Sequence, residues 1–144
     1  MIPDLGPEHA AVLVKARARE LGFAVCGVAR ADQPLDVEYE RYEAALEGGL
    51  HGPLGYLAEN VEVRRRLDTE DILAGARSIV VVGARYDRPD DDDDPPLARS
   101  IARYARGHDY HNYLRKKIRK LAAFVRTLGL DVQARPMSDT APVL

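Results

Sequence analysis

Apolar residues follow two rhythms along this chain, and the rhythms divide it into elements. From Glu8 to Leu21 they recur at helical spacing; Pro7 and Glu8 suit a first turn, Arg17 and Arg19 a last one, and Gly22 a stop. "FAVCGVA", Phe23 to Ala29, is a short apolar run bounded by Gly22 and "RADQP", which predicts a buried strand with Cys26 as a small core residue. Asp36 to Leu46 reads as a second helix ended by Gly48 and Gly49, and "GGLHGPLGYL" as a loop with a short helical turn at most. A short helix is expected at Thr69 to Leu73, capped by Thr69 or Asp68. Ser78 to Ala84 is almost wholly apolar and β-branched, the pattern of a strand covered on both faces in a parallel or mixed sheet. Leu114, Ile118, Leu121, Val125 and Leu128 define an amphipathic helix over Asn112 to Leu128, closed by Gly129, and "DVQARPM" predicts a returning strand. The order of elements argues for an α/β fold, a small mixed sheet flanked by helices.

Composition narrows the class. The 144 residues suit one compact domain, and 46% hydrophobic with 31% charged residues is globular. A single cysteine cannot form an internal disulfide, a cysteine-rich zinc site or an iron–sulfur cluster. No apolar run approaches the ~18 residues of a membrane span, and the N-terminus has no cleavable signal pattern, so a soluble cytoplasmic monomer is expected.

Charge changes the picture more. The net value is −2, yet Arg99 to Arg126 holds nine Arg or Lys and one Asp, a local charge of +8. The loop before it, "YDRPDDDDDPPLA", carries five adjacent aspartates, Asp90 to Asp94, and offsets this in the total. It lacks the spacing of a calcium loop and reads as a solvated insertion. The basic segment is either a solvated helix face or a surface for a polyanion; its interleaved tyrosines would suit unpaired bases. In "RYARGHDYHNYLRKK", Asp109 is expected to cap the helix, which places His108 outside it and argues against a His108–His111 metal pair. His51 stands alone in its loop, so no metal ligands are assigned. Walker, dinucleotide, nucleophile-elbow and His-Glu metal motifs are absent.

"RYARGHDYHNYLRKKIRKLAAFV", followed after a short segment by "SDTAPVL", resembles the N-terminal part of the epoxyqueuosine reductase family. That family's pattern is an Arg-Tyr-Ala-x-Gly-x-Asp-Tyr-His block, a basic amphipathic helix, then Asp-(Ser/Thr)-(Ala/Gly)-Pro-(Val/Ile)-Leu-Glu. "LGFAVCGVARAD" and "GLHGPLGYLAEN" agree upstream, and Arg66 stands eight residues before the family's Leu-Pro turn, whose proline is replaced here by Ala74. The resemblance covers nearly the whole chain. It implies cobalamin-dependent reduction of epoxyqueuosine in tRNA, the last step of queuosine synthesis, with two [4Fe–4S] clusters and an electron donor not identified by the sequence. It also implies site residues: Asp139 as proton donor beside the cobalamin, and Arg66 and Ala102 as cobalamin contacts, Ala102 through its backbone. Reductive dehalogenases share the cobalamin module.

The resemblance further implies a ferredoxin-like domain with eight cysteines, whose ligands are not in these residues, so the chain is expected to be a truncated, single incomplete domain, inactive alone. Two other readings stay open: a non-enzymatic tRNA-binding module using the +8 segment, and a related corrinoid reductase of another substrate.

Overall fold

The computed structural model describes residues 5–86, 100–105 and 109–138. Among them the chain forms three α-helices, α1 (Pro7–Glu20), α2 (Asp36–Glu47) and α3 (Tyr110–Val125), and two strands, β1 (Val25–Arg30) and β2 (Ser78–Gly83). Short 3-10 turns occupy Gly55–Ala58, Val61–Arg65 and Arg103–Ala105. This is the expected α/β class. The described residues divide into two compact units, one holding those up to Gly27 and from Val81 to Ser138, the other Val28–Val80. The division falls inside both strands.

In the first unit α1 packs on α3. Their buried positions are Val14 and Ala18 on α1, Leu121 and Ala122 on α3, and Phe23 just after α1. Ala18 has 0% of its surface exposed, and two alanines at the contact let the helix backbones approach closely. Helix α1 starts with Pro7, whose missing N–H costs nothing at a first turn. It ends in a Schellman motif: the Phe23 N–H donates to the Ala18 carbonyl (3.0 Å) and the Gly22 N–H to that of Arg19 (2.8 Å). Gly22 has φ +80°, the left-handed conformation the motif requires. The same pair of bonds closes α2, from Leu50 to Ala45 and from Gly49 to Leu46, with Gly49 at φ +66°.

The second unit has a thinner core, in which Ala31, Tyr39 and Ile72 are buried. Helix α2 rests on the turn Val61–Arg65, and the Tyr42 hydroxyl donates to the Leu57 carbonyl. That turn was not anticipated from the sequence, because five residues are too few for a periodic signal.

The sheet differs from expectation in its layering. It has two strands, and they run antiparallel: the Ala24 N–H donates to the Gly83 carbonyl and the Ala31 N–H to that of Arg77. Val25 (65%), Val28 (37%) and Val81 (60%) are exposed, and Cys26 is only half-buried. An apolar β-branched run reports affinity for a sheet; it does not report how many layers cover that sheet. Burial pushes the Cys26 thiol above its ordinary value, against the opposing fields of Lys15 and Arg19.

Three further expectations are corrected. Residues 69–73 form a turn, not a helix: the Ile72 N–H reaches Thr69 and the Gly75 N–H reaches Asp68, with Gly75 at φ +68°. Helix α3 begins at Tyr110 and ends at Val125, short of Leu128, because its last carbonyls are taken by single-turn bonds and by the Thr127 hydroxyl (2.6 Å to Phe124). "DVQARPM" is not a strand. Asp131 has φ +59°, Pro136 has no N–H to offer, and the Ala134 carbonyl accepts from Arg126 Nη2 at 2.5 Å. The aspartate-rich loop and the "SDTAPVL" segment from Asp139 onward lie outside the described residues.

Leu121→Ala removes the largest side chain buried on α3 and is expected to lower stability by about 2–5 kcal/mol, read from the midpoint and slope of a urea melt. An unchanged midpoint would show that the α1–α3 contact does not carry the first unit.

Candidate functional site

The three adjacent arginines of the second unit share a sequence environment but are held in three ways. Arg64 lies over the Tyr42 ring, 5.2 Å from its centroid, and donates to the Tyr56 carbonyl at 3.3 Å. Arg65 pairs with Asp36 at 2.7 Å and lies 5.8 Å from the Tyr39 ring centroid. Arg66, in extended backbone just past the turn, donates Nε and Nη2 to the two carboxylate oxygens of Asp68 at 3.0 and 2.9 Å. That fork holds the Asp68 carboxyl below its ordinary range, first through the hydrogen bond and then through the charge of Arg66. Asp68, one of the two caps expected from the sequence, instead orients an arginine.

Arg66 keeps capacity for a ligand. Asp68 takes two of its five N–H donors, and half of the side chain is exposed. Ala102, in the first unit, is exposed. Its carbonyl accepts from the Ala105 N–H at 2.8 Å, and its own N–H makes no hydrogen bond among the described residues. Both positions therefore offer donors to an acceptor-rich molecule. Asp139 lies outside the described residues.

Next to Ala102 the opening of α3 is built on aromatic rings and one carboxylate. Tyr86, Tyr104 and Tyr110 meet edge to face, with centroids 6.4 and 6.1 Å apart, and Tyr110 stacks on His111 at 4.1 Å. Asp109 caps the helix as expected, accepting from the His111 N–H at 2.9 Å. It also meets His111 Nδ1 at 2.8 Å and accepts from Asn112 Nδ2 at 3.1 Å. The carboxylate accepts from Nδ1 and so fixes the orientation of the ring. The contacts of His111 depress the Asp109 carboxyl, its side-chain hydrogen bond first. Sequence reasoning left His111 without a role. The signal was Asp and His two residues apart at a helix start, where a cap and a ring nitrogen can share one carboxylate. His108 lies outside the described residues.

A cleft of about 460 Å³ in the second unit is lined by Asp36, Tyr39, Glu40, Glu43, Glu62 and Arg65. Its carboxylates repel anions, so it does not suit a phosphate-bearing ligand. No helix among the described residues is long and apolar enough to cross a membrane.

The described residues thus form a small α/β module with spare N–H donors on Arg66 in one unit and on Ala102 in the other. The family described as "Epoxyqueuosine reductase QueG, DUF1730" matches residues 66–140, which span Arg66, Ala102 and Asp139. The chain belongs to the epoxyqueuosine reductase family. It is 35% identical to the epoxyqueuosine reductase of Gloeobacter violaceus over 92% of this chain and 40% of that protein. The corresponding protein of Cyclobacterium marinum is 33% identical over 92% of this chain and 42% of its own length. That of Xanthomonas campestris pv. campestris is 31% identical over 99% and 40%. The chain spans about two fifths of the length of these curated relatives. No solved structure matches it.

Asp109→Ala is expected to lower the thermal midpoint by a few degrees, with Asp109→Asn losing less. The depressed carboxyl sets the sign with pH. Its contribution is complete above the ordinary value of 3.8 and is lost as pH falls through the lower folded value. Acid melts of the native chain and Asp109→Ala should therefore converge at low pH; parallel curves would remove the charge from the cap.

Proposed function

We propose that this chain supplies the cobalamin-binding part of an enzyme that reduces epoxyqueuosine to queuosine in tRNA. The observation that carries the reading is the family match over residues 66–140, which takes in all three candidate positions. The donors described on Arg66 and Ala102 support it. A corrin carries amide carbonyls and a phosphate around its rim, and both are acceptors for a half-exposed guanidinium and a free backbone N–H. Arg66 would hold an amide or phosphate of that rim with the N–H groups that Asp68 leaves open, and the Ala102 N–H would hold a second amide.

When bound, cobalamin supplies electrons at low potential. The overall change is an epoxide plus two electrons and two protons giving an alkene and water. As the carbon–oxygen bond opens, negative charge gathers on the epoxide oxygen, and a carboxylic acid within reach can protonate it there. Asp139 takes that role in this reading. It must then be protonated near neutral pH, which calls for burial or electron-rich surroundings. The iron–sulfur clusters and the electron donor belong to the same reading, as does a cytoplasmic location, where the tRNA is found.

In the whole enzyme, Asp139→Asn is expected to cut epoxide reduction by about 10²–10⁴ while leaving the visible spectrum of bound cobalamin unchanged. Arg66→Ala should weaken cobalamin uptake about tenfold. Normal turnover by Asp139→Asn would remove that residue from the chemistry, and undiminished uptake by Arg66→Ala would remove Arg66 from the cofactor's rim.

A further inference from the structure

Helix α3 contains no aspartate or glutamate, and Arg115, Lys116, Arg119 and Lys120 all stand exposed on it. Among the described residues, Lys116, Arg119 and Lys120 are in no ion pair. Arg115 adds a weak field at the Asp109 cap. Two of the spacings, Arg115 to Arg119 and Lys116 to Lys120, place like charges one turn apart, which weakens a helix. Folding therefore gives no account of this face. A ligand of opposite charge would.

The other side of α3 narrows the ligand. Leu121 and Ala122 are buried in the contact with α1, so the helix has no apolar face left to enter a bilayer. At its beginning stand exposed rings, Tyr86 (64%), Tyr104 (56%) and Tyr113 (55%). Cations along a helix with rings at its start form the pairing that holds a nucleic-acid strand, the cations on its phosphates and the rings against its unpaired bases. An acidic protein would use the cations and leave the rings unexplained.

We infer that the Arg115–Lys120 face of α3 is an RNA-backbone contact, and that it holds the tRNA on the side of the first unit opposite α1. The identity of the RNA rests on the proposed function; the phosphate contact does not. Lys117 is excluded from it, because its ammonium is held against the Phe23 and Tyr113 rings at 5.8 and 4.1 Å from their centroids.

The test titrates the full chain with an unmodified tRNA transcript between about 50 and about 200 mM salt. The comparison is with a variant carrying Lys116→Gln, Arg119→Gln and Lys120→Gln, and with Arg41→Gln on α2 as the control. Affinity at low salt should fall about tenfold or more in the triple variant, and the slope of log K against log salt by about 2–3. Arg41→Gln should leave both unchanged. Because the like-charge pairs disappear, the triple variant should melt at the same temperature as the native chain or higher. An unchanged slope overturns the inference, as does a loss of binding matched by a loss of thermal stability. So does capture of phosphatidylserine vesicles that depends on these residues while RNA binding does not. Cobalamin titration of the whole enzyme separates the two readings: absent uptake there would defeat the enzymatic one and leave the RNA result standing.

Discussion

The contact between α1 and α3 is the constraint on which the first unit depends. It buries Val14, Ala18, Leu121 and Ala122, and it directs both ends of the helices that make it. Because α1 must stop where Phe23 can turn into the core, the chain reverses at Gly22 and enters β1 at once. Because α3 must give its apolar stripe to α1, its cations have nowhere to go but outward. The exposed charge is thus a direct result of the packing, and its lack of partners is the part that packing does not require.

The helices were legible because their periodicity and their stops agree. Leu114, Ile118 and Leu121 mark a face, and Gly22 and Gly49 mark ends that only a left-handed residue closes so readily. The strands were legible as strands but not as layers, since Val25 and Val81 read the same whether a helix covers them or not. Residues 131–137 failed for a more local reason. The arginine that takes the Ala134 carbonyl and the proline two residues later are side-chain events that an apolar-polar pattern does not register.

The site was legible in part and by resemblance. Arg64, Arg65 and Arg66 form one run in the sequence, whereas the fold assigns the first to a ring, the second to α2 and the third to Asp68. Arg65 and Arg66 are both half open, but of the three Arg66 alone meets both oxygens of one carboxylate, and it is the one the resemblance singles out. A bidentate partner two residues away fixes the guanidinium before any ligand arrives, so less freedom is lost on binding. Asp109 does the same for the His111 ring. In both places a carboxylate two residues away in sequence prepares a cation or ring.

The turn at Gly22 has a consequence of another kind. A methyl group on Gly22 would come within 2.9 Å of Lys117 Nζ, the tip of a flexible side chain that sits against Phe23 and Tyr113 and would have to shift from those rings to make room. Two residues far apart in sequence therefore share one small volume. Their substitutions will not add: once Lys117 is shortened, a side chain at position 22 meets only the cost of its backbone angle, and the steric share of the penalty vanishes. What remains at position 22 after any change at Lys117 is the left-handed backbone angle, which favours glycine by itself.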